Sequence, residues 1–233
     1  MVKLFGQKLN GSMLTLTDIT KSFTRQRVLE GVSLQVQAGE SLAVMGPSGS
    51  GKSTLLHCMS GVLTPDSGEV VFDGTNIAAL DDAARSKLRL NHFGFIFQDG
   101  QLLPELTATE NVALPQIMRG TSRKEAHAQA DDMLTRLGLG NFTSRFPGQL
   151  SGGQAQRVAI ARALAGPPKV VFADEPTAAL DQATGHEVMQ EIVAVAQKFG
   201  VTLVLVTHDP KIAAWCNRRI EIRDGLIHSE VTA

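Results

Sequence analysis

No feature of this chain constrains its fold more than Gly46-Pro47-Ser48-Gly49-Ser50-Gly51-Lys52-Ser53, which fits the spacing G-x-x-x-x-G-K-[ST] of a phosphate-binding loop. That motif works between a strand and a helix, and its flanks predict both. Ser41 to Met45 is an apolar run that reads as a buried strand, and Thr54 to Met59 sets Leu55, Leu56 and Met59 at helical spacing. Gly46, Gly49 and Gly51 free the backbone to wrap a polyphosphate and offer its N–H groups as a concave nest. The following helix aims its positive end at the same phosphates. Lys52 adds a point charge, and the Ser53 hydroxyl is placed to ligate Mg2+. Pro47, Ser48, Ser50 and Thr54 complete the candidate cradle.

Around the loop the sequence predicts a sheet. Leu14 to Thr20 and Val32 to Val36 alternate apolar and polar residues, and Glu69 to Phe72 runs into the turn Asp73-Gly74. These predict an antiparallel sheet beside the loop strand. Asp81 to Leu90 predicts a short polar helix, Phe93 to Phe97 a buried strand, and Gln98 to Leu114 a loop bearing Leu102, Leu103 and Leu106. Ser122 and Glu125 are spaced as a capping box for a helix ending near Leu137, with Gly138 as its stop. Arg145 to Leu150 reads as a further loop.

The last third alternates again, with strands at Val170 to Ala173 and Thr202 to Val206 and helices at Gln182 to Phe199 and Pro210 to Trp215. Arg219 to Ile222 and Leu226 to Ile227 flank Asp224-Gly225 as a closing hairpin. Parallel strands separated by helices define an α/β core. The expected boundaries are about 13–90 and 166–233 for the core, around a helical insertion at about 91–165. Residues 1–12 read as a leader left by cloning ahead of an initiator Met13, because Gly11-Ser12 has the look of a vector junction.

Charge and cysteines narrow the function. A net charge of −1 gives no electrostatic case for nucleic acid. Cys58 and Cys216 fit no metal spacing and read as buried reduced thiols. No apolar run approaches the roughly 18 residues of a membrane span.

Two further motifs carry chemistry. Asp174-Glu175 ends the apolar strand from Val170, where parallel sheets place ligand groups. Asp174 is suited to hold Mg2+ opposite Ser53, and Glu175 to accept a proton from water attacking a γ-phosphate. Leu150-Ser151-Gly152-Gly153-Gln154 precedes a helical run from Ala155 to Leu164. Ser151 can cap that helix, and the glycines expose N–H groups as a second anion cradle.

In order, Gly46 to Ser53, Gln98, Leu150 to Gln154, Val170 to Glu175, Ala179-Leu180-Asp181 and His208 resemble the nucleotide-binding subunit of an ATP-binding-cassette (ABC) transporter. The likeness spans residues 13–228. It implies a P-loop NTPase with a RecA-like parallel core, an N-terminal antiparallel β subdomain and an inserted helical subdomain. It further implies ATP and Mg2+ as cofactors, and two copies docked head to tail with each ATP between one copy's phosphate loop and the other's signature. Ser151, Gly152, Gly153 and Gln154 then act on the partner's nucleotide. Gln98 resembles the glutamine that reaches Mg2+ and the attacking water, His208 the histidine at the γ-phosphate, and Asp181 the aspartate that communicates across the dimer. Phe23 stands where relatives carry an adenine-stacking aromatic, commonly Tyr, a residue this chain lacks. Ala155 follows the signature where many relatives have Gln or Glu.

Phe95 to Gln98 and Leu102 to Val112 are similar to the branch of macrolide, lipoprotein, antimicrobial-peptide and haem exporters and the cell-division ATPase. That likeness implies a separate integral-membrane permease, a place on the cytoplasmic face of the bacterial membrane, and export of a hydrophobic or amphipathic cargo. Leu102, Leu103 and Leu106 lie either near a permease groove or in the core of the helical lobe. The alternative is an ATPase that signals to a membrane partner without transport, as in cell division.

Overall fold

The structure, a computed structural model, describes residues 12–24, 26–166 and 168–232. Strand β1 (Ser12–Phe23) pairs antiparallel with β2 (Gln26–Gln37) and with β4 (Ser67–Phe72), which turns at Asp73-Gly74 into β5 (Thr75–Asn76). Ser12, counted with the leader from sequence, is the first residue of β1, paired with Gln37. Residues 1–11 of the expected leader lie outside the described residues.

A second sheet carries the site. Strands β3 (Ser41–Met45), β6 (Phe93–Ile96), β7 (Val170–Asp174), β8 (Thr202–Val206), β9 (Arg218–Arg223) and β10 (Leu226–Thr232) lie in the order β10-β9-β3-β8-β7-β6. All neighbours are parallel except β10, which returns antiparallel on β9. The C-terminal hairpin is therefore longer than its turn residues predict, because β9 is also paired with β3.

Apolar runs without alternation require a sheet covered on both faces. Along β3, β7 and β8, Leu42, Val44, Val170, Phe172, Val204 and Val206 face the antiparallel sheet and α1 (Lys52–Met59). Their neighbours Ala43, Val171, Ala173, Leu203 and Leu205 face the opposite layer, which holds α3 (Ala108–Met118), α4 (Arg123–Arg136), α5 (Gly152–Leu164) and α6 (Gln182–Phe199). Two short helices complete the chain, α2 (Asp82–His92) before β6 and α7 (Pro210–Ala213) before β9.

Four expectations are corrected. Strand β6 pairs with β7 in the main sheet, so the inserted helices begin after Ile96 rather than near residue 91. Gln98 to Leu114 is not all loop: α3 starts at Ala108 under a reciprocal capping box, in which Thr107 N–H donates to Glu110 Oε2 (2.8 Å) and Glu110 N–H to Thr107 Oγ1 (3.3 Å). Pro115 inside α3 hides its helical pattern, since Pro is the strongest helix breaker in a propensity reading. At Ser122 the box is half formed. The hydroxyl accepts from Glu125 N–H, but the Glu125 carboxylate accepts from Gln129 instead. The loop before the signature holds one 3-10 turn, Pro147–Gln149.

Candidate active site

Register places the site. Val44 and Asp174 both pair with Val206, so β3, β7 and β8 end level and release Gly46, Glu175 and Thr207 at one edge. Two cross-strand bonds extend that alignment beyond the strands: Glu175 N–H donates to Val206 O (3.0 Å) and Thr207 N–H to Val44 O (3.2 Å). A carboxylate, a histidine and a phosphate loop thus share one rim, as open parallel sheets dictate.

The loop itself is pinned by its glycines. Gly46 (φ 144°) sits so close to Ile222 O that a Cβ would overlap it. A Cβ on Gly51 (φ 102°) would lie 2.8 Å from Val28 O. Pro47, Ser48 and Gly49 are exposed, and Thr54 is half-buried in the first turn of α1. The helix has Gly51 as N-cap and no side-chain cap, so its first N–H groups face the loop. Ser50 Oγ is buried without a hydrogen-bond partner among the described residues. Lys52 Nζ, buried, donates to Gly46 O (3.0 Å) and Pro47 O (2.9 Å) and so lies across the nest. An uncapped helix, an orphaned hydroxyl and an ammonium in one glycine-lined cradle fit a polyphosphate.

Ser53, Gln98, Asp174 and Glu175 line one cleft of about 480 Å³. Ser53 Oγ donates to Asp174 Oδ1 at 3.0 Å across 121 residues of sequence. This set of hydroxyl, amide and carboxylate oxygens is the hard donor chemistry that suits Mg2+. Glu175 stands at φ 47°, a left-handed conformation that costs a non-glycine residue about 1–3 kcal/mol. Both Glu175 carboxylate oxygens lie 3.0 Å from His208 Nδ1. His208 is 68% exposed, so this pair is worth at most about 1 kcal/mol and is readily exchanged for other partners.

The signature is elsewhere. Ser151 caps α5 reciprocally with Gln154, donating its N–H to Gln154 Oε1 (2.9 Å) and accepting from Gln154 N–H (3.3 Å). Ser151 to Gln154 do not line the Ser53–Asp174 cleft; Gly152 and Gly153 abut Leu180 and Thr184 beside Asp181. Asp181 caps α6, and a hydrogen bond from the Thr184 hydroxyl (2.7 Å) holds its carboxyl below the usual carboxylate range. Phe23 is half exposed at the end of β1, with Lys21 Nζ 5.8 Å from its ring centre. Leu102 packs on the helical-layer core, and Leu103 is exposed.

Sequence reading missed two contributors. His57, one helical turn beyond Ser53, lines the cleft with Gln98 and Asp174; its i, i+4 spacing was the available signal. Gln156, buried in α5, donates to Phe97 O (3.0 Å) beside Gln98, a contact no local pattern encodes.

Comparison with known proteins follows the same lines. A family model described as ABC transporter matches residues 29–178. The lipoprotein-releasing system ATP-binding protein LolD of Shewanella frigidimarina is 49% identical over 201 residues, 86% of this chain and 84% of that one. The macrolide export ATP-binding/permease protein MacB of Marinobacter nauticus is 46% identical over 217 residues, 91% of this chain but 34% of its own length. Among solved structures, the dimeric ATP-binding cassette MJ0796 in a post-hydrolysis state with ADP and Pi superposes with TM-score 0.88 at 41% identity, covering 94% of this chain and 98% of that one.

Proposed function

This chain belongs to the ABC transporter family as an ATP-binding ATPase subunit, and on that premise we propose that it powers a membrane exporter by ATP-driven pairing with a second copy of itself. The single observation that carries the pairing is the split site. Gly46 to Ser53, Gln98, Asp174, Glu175 and His208 gather at one sheet edge, while Ser151 to Gln154 cap a helix that lines none of that cleft. A second copy supplies the missing half.

The residues have distinct tasks. The Gly46 to Thr54 cradle and Lys52 hold the phosphates, and the Phe23 ring stacks on the base. Ser53, Gln98 and Asp174 hold Mg2+, which supplies charge neutralisation at the phosphates. Glu175 takes the proton of the attacking water, and His208, released from Glu175, donates to the γ-phosphate. Ser151, Gly153 and Gln154 of the partner close over the same phosphate, with Asp181 beside them at the junction.

Export through a separate permease is supported by the relatives. LolD proteins match over nearly their whole length, whereas MacB matches over a third of its own. Among the described residues no helix is long and apolar enough to cross a membrane. The chain then sits at the cytoplasmic face of the membrane through its permease, and the cargo is amphipathic, of the lipoprotein kind.

Mixing two inactive variants tests the pairing. Ser151→Arg and Lys52→Ala each abolish phosphate release alone. Together they restore it, because one mixed site is whole. A mixture as inactive as its components overturns the shared site.

A further inference from the structure

Two hairpin turns in this chain have the same sequence and the same shape. Asp73-Gly74 joins β4 to β5, and Asp224-Gly225 joins β9 to β10. Each is a two-residue turn whose flanking residues pair, Phe72 with Thr75 and Arg223 with Leu226. Both central residues have positive φ in each turn, 46° and 80° in the first, 47° and 75° in the second. Those angles mark a type I′ turn, which Asp-Gly favours. Local geometry therefore demands the same of Gly74 and Gly225.

Their surroundings differ. A Cβ on Gly74 would meet nothing within 4 Å. A Cβ on the buried Gly225 would lie 2.6 Å from Val28 O and 3.1 Å from the Val28 carbonyl carbon. The turn is also bonded to β2, where Glu30 N–H donates to Gly225 O (3.0 Å). Val28 O is the same carbonyl that a Cβ on Gly51, the N-cap of α1, would meet at 2.8 Å. It thus lies against both the turn and the phosphate loop. Strand β9 reaches the start of the loop directly, through Ile222 O beside Gly46. Two carbonyls set in strands abut Gly46 and Gly51, and neither can turn aside as a flexible side chain would.

We propose that Gly225 is a positioning residue for the nucleotide. Lacking a side chain, it lets the turn close on β2 while the Val28 carbonyl seats Gly51 and, through it, the first N–H groups of α1 that face the phosphates. The inference rests on the reading of Gly46 to Thr54 as the phosphate cradle and extends that cradle's support to a turn distant in sequence. A methyl at Gly225 is relieved in one of two ways. Val28 yields towards Gly51, or the turn lifts from β2 and loses its bond to Glu30. Either way the support of the loop changes. The cradle grips the phosphates in ground and transition states alike, so the loss falls on KM rather than kcat.

The test compares Gly225→Ala with Gly74→Ala in the full chain, by equilibrium binding of a fluorescent ATP analogue, steady-state ATP hydrolysis, and thermal unfolding without nucleotide. Both variants place a Cβ at a similar positive φ, so a merely structural role lowers the unfolding temperature in both and leaves nucleotide affinity alone. Gly225→Ala is expected to weaken binding and raise the KM for ATP by about tenfold or more, with kcat within about threefold. Gly74→Ala keeps affinity and KM within about twofold. Asn tolerates positive φ better than Ala, so Gly225→Asn brings the same Cβ with less strain and weakens binding likewise, even should Gly225→Ala not fold. Unchanged affinity in Gly225→Asn, equal losses in Gly225→Ala and Gly74→Ala, or a loss confined to kcat overturns the proposal. Lys52→Ala separates the inference from the reading beneath it. If Lys52→Ala binds nucleotide as the wild type does, the cradle reading falls and this inference falls with it. If Lys52→Ala loses binding while Gly225→Ala keeps it, the inference alone fails.

Discussion

Glu175 is the residue at which chain and neighbours meet most sharply. Its place just past Asp174 and four apolar residues is plain in the sequence, but its left-handed backbone is not. That conformation persists because its N–H is bonded to Val206 on the adjacent strand, 31 residues on by number. Glu175→Gln keeps the shape and removes the proposed base, so turnover is expected to fall by about 10²–10⁴-fold with nucleotide affinity unchanged. Phosphate release and equilibrium nucleotide binding measure the two, and near-normal turnover would remove Glu175 from that role. Asp174 and Ser53 show the same division. Each was readable as an oxygen ligand from its motif, whereas their 3.0 Å contact exists only because β7 lies close to the loop strand.

Helix α5 organises the next scale. Its first turn presents Ser151 to Gln154, and its buried side reaches the loop that carries Gln98 through Gln156 and Arg162. Gly94 of β6 is pressed so closely against Ala163 O that any larger residue would lift the helix from the sheet. The signature and the loop that carries Gln98 are thereby held by one helix. Arg162→Lys replaces a planar fork spanning two carbonyls by a single ammonium, which cannot hold both. Turnover should drop by roughly tenfold while the KM for ATP stays put, since misplacing a positioned group costs rate more than binding. Steady-state kinetics separate the two, and a change confined to KM contradicts the positioning role. Little of this was legible, because Arg162 and Gly100 are far apart in sequence and joined by no periodicity. Helix α3 was legible in its Thr107–Glu110 cap and obscured by Pro115.

At the scale of the molecule, the parallel sheet is a partition between two apolar cores, and each holds one thiol, Cys58 on the α1 side and Cys216 on the other. Burial pushes both up to about 12 from an ordinary thiol value of 9.0. Folding therefore favours the protonated thiol. That contribution is complete below pH 9 and is lost as pH rises towards 12. Chemical unfolding measured across this window should show stability falling with pH, and Cys58→Ala with Cys216→Ala should flatten that slope. An unchanged slope in the double variant would assign the loss to other groups.

By itself the sequence determined which chemistry is present. The phosphate loop, the Asp174-Glu175 pair, the signature and the unbroken apolar strands each follow from local residue types and spacing, because backbone freedom, helix capping and two-sided burial leave local marks. Tertiary structure alone decided which of these groups meet. Strand order and register set Ser53 beside Asp174 and Glu175 beside His208, and set Ser151 to Gln154 apart from them. It also gathered Arg89 of α2, Arg119 at the C-terminal cap of α3 and Arg162 of α5 around one groove that no Asp or Glu lines. Such meetings depend on contacts between residues distant in the chain, and no local pattern records them.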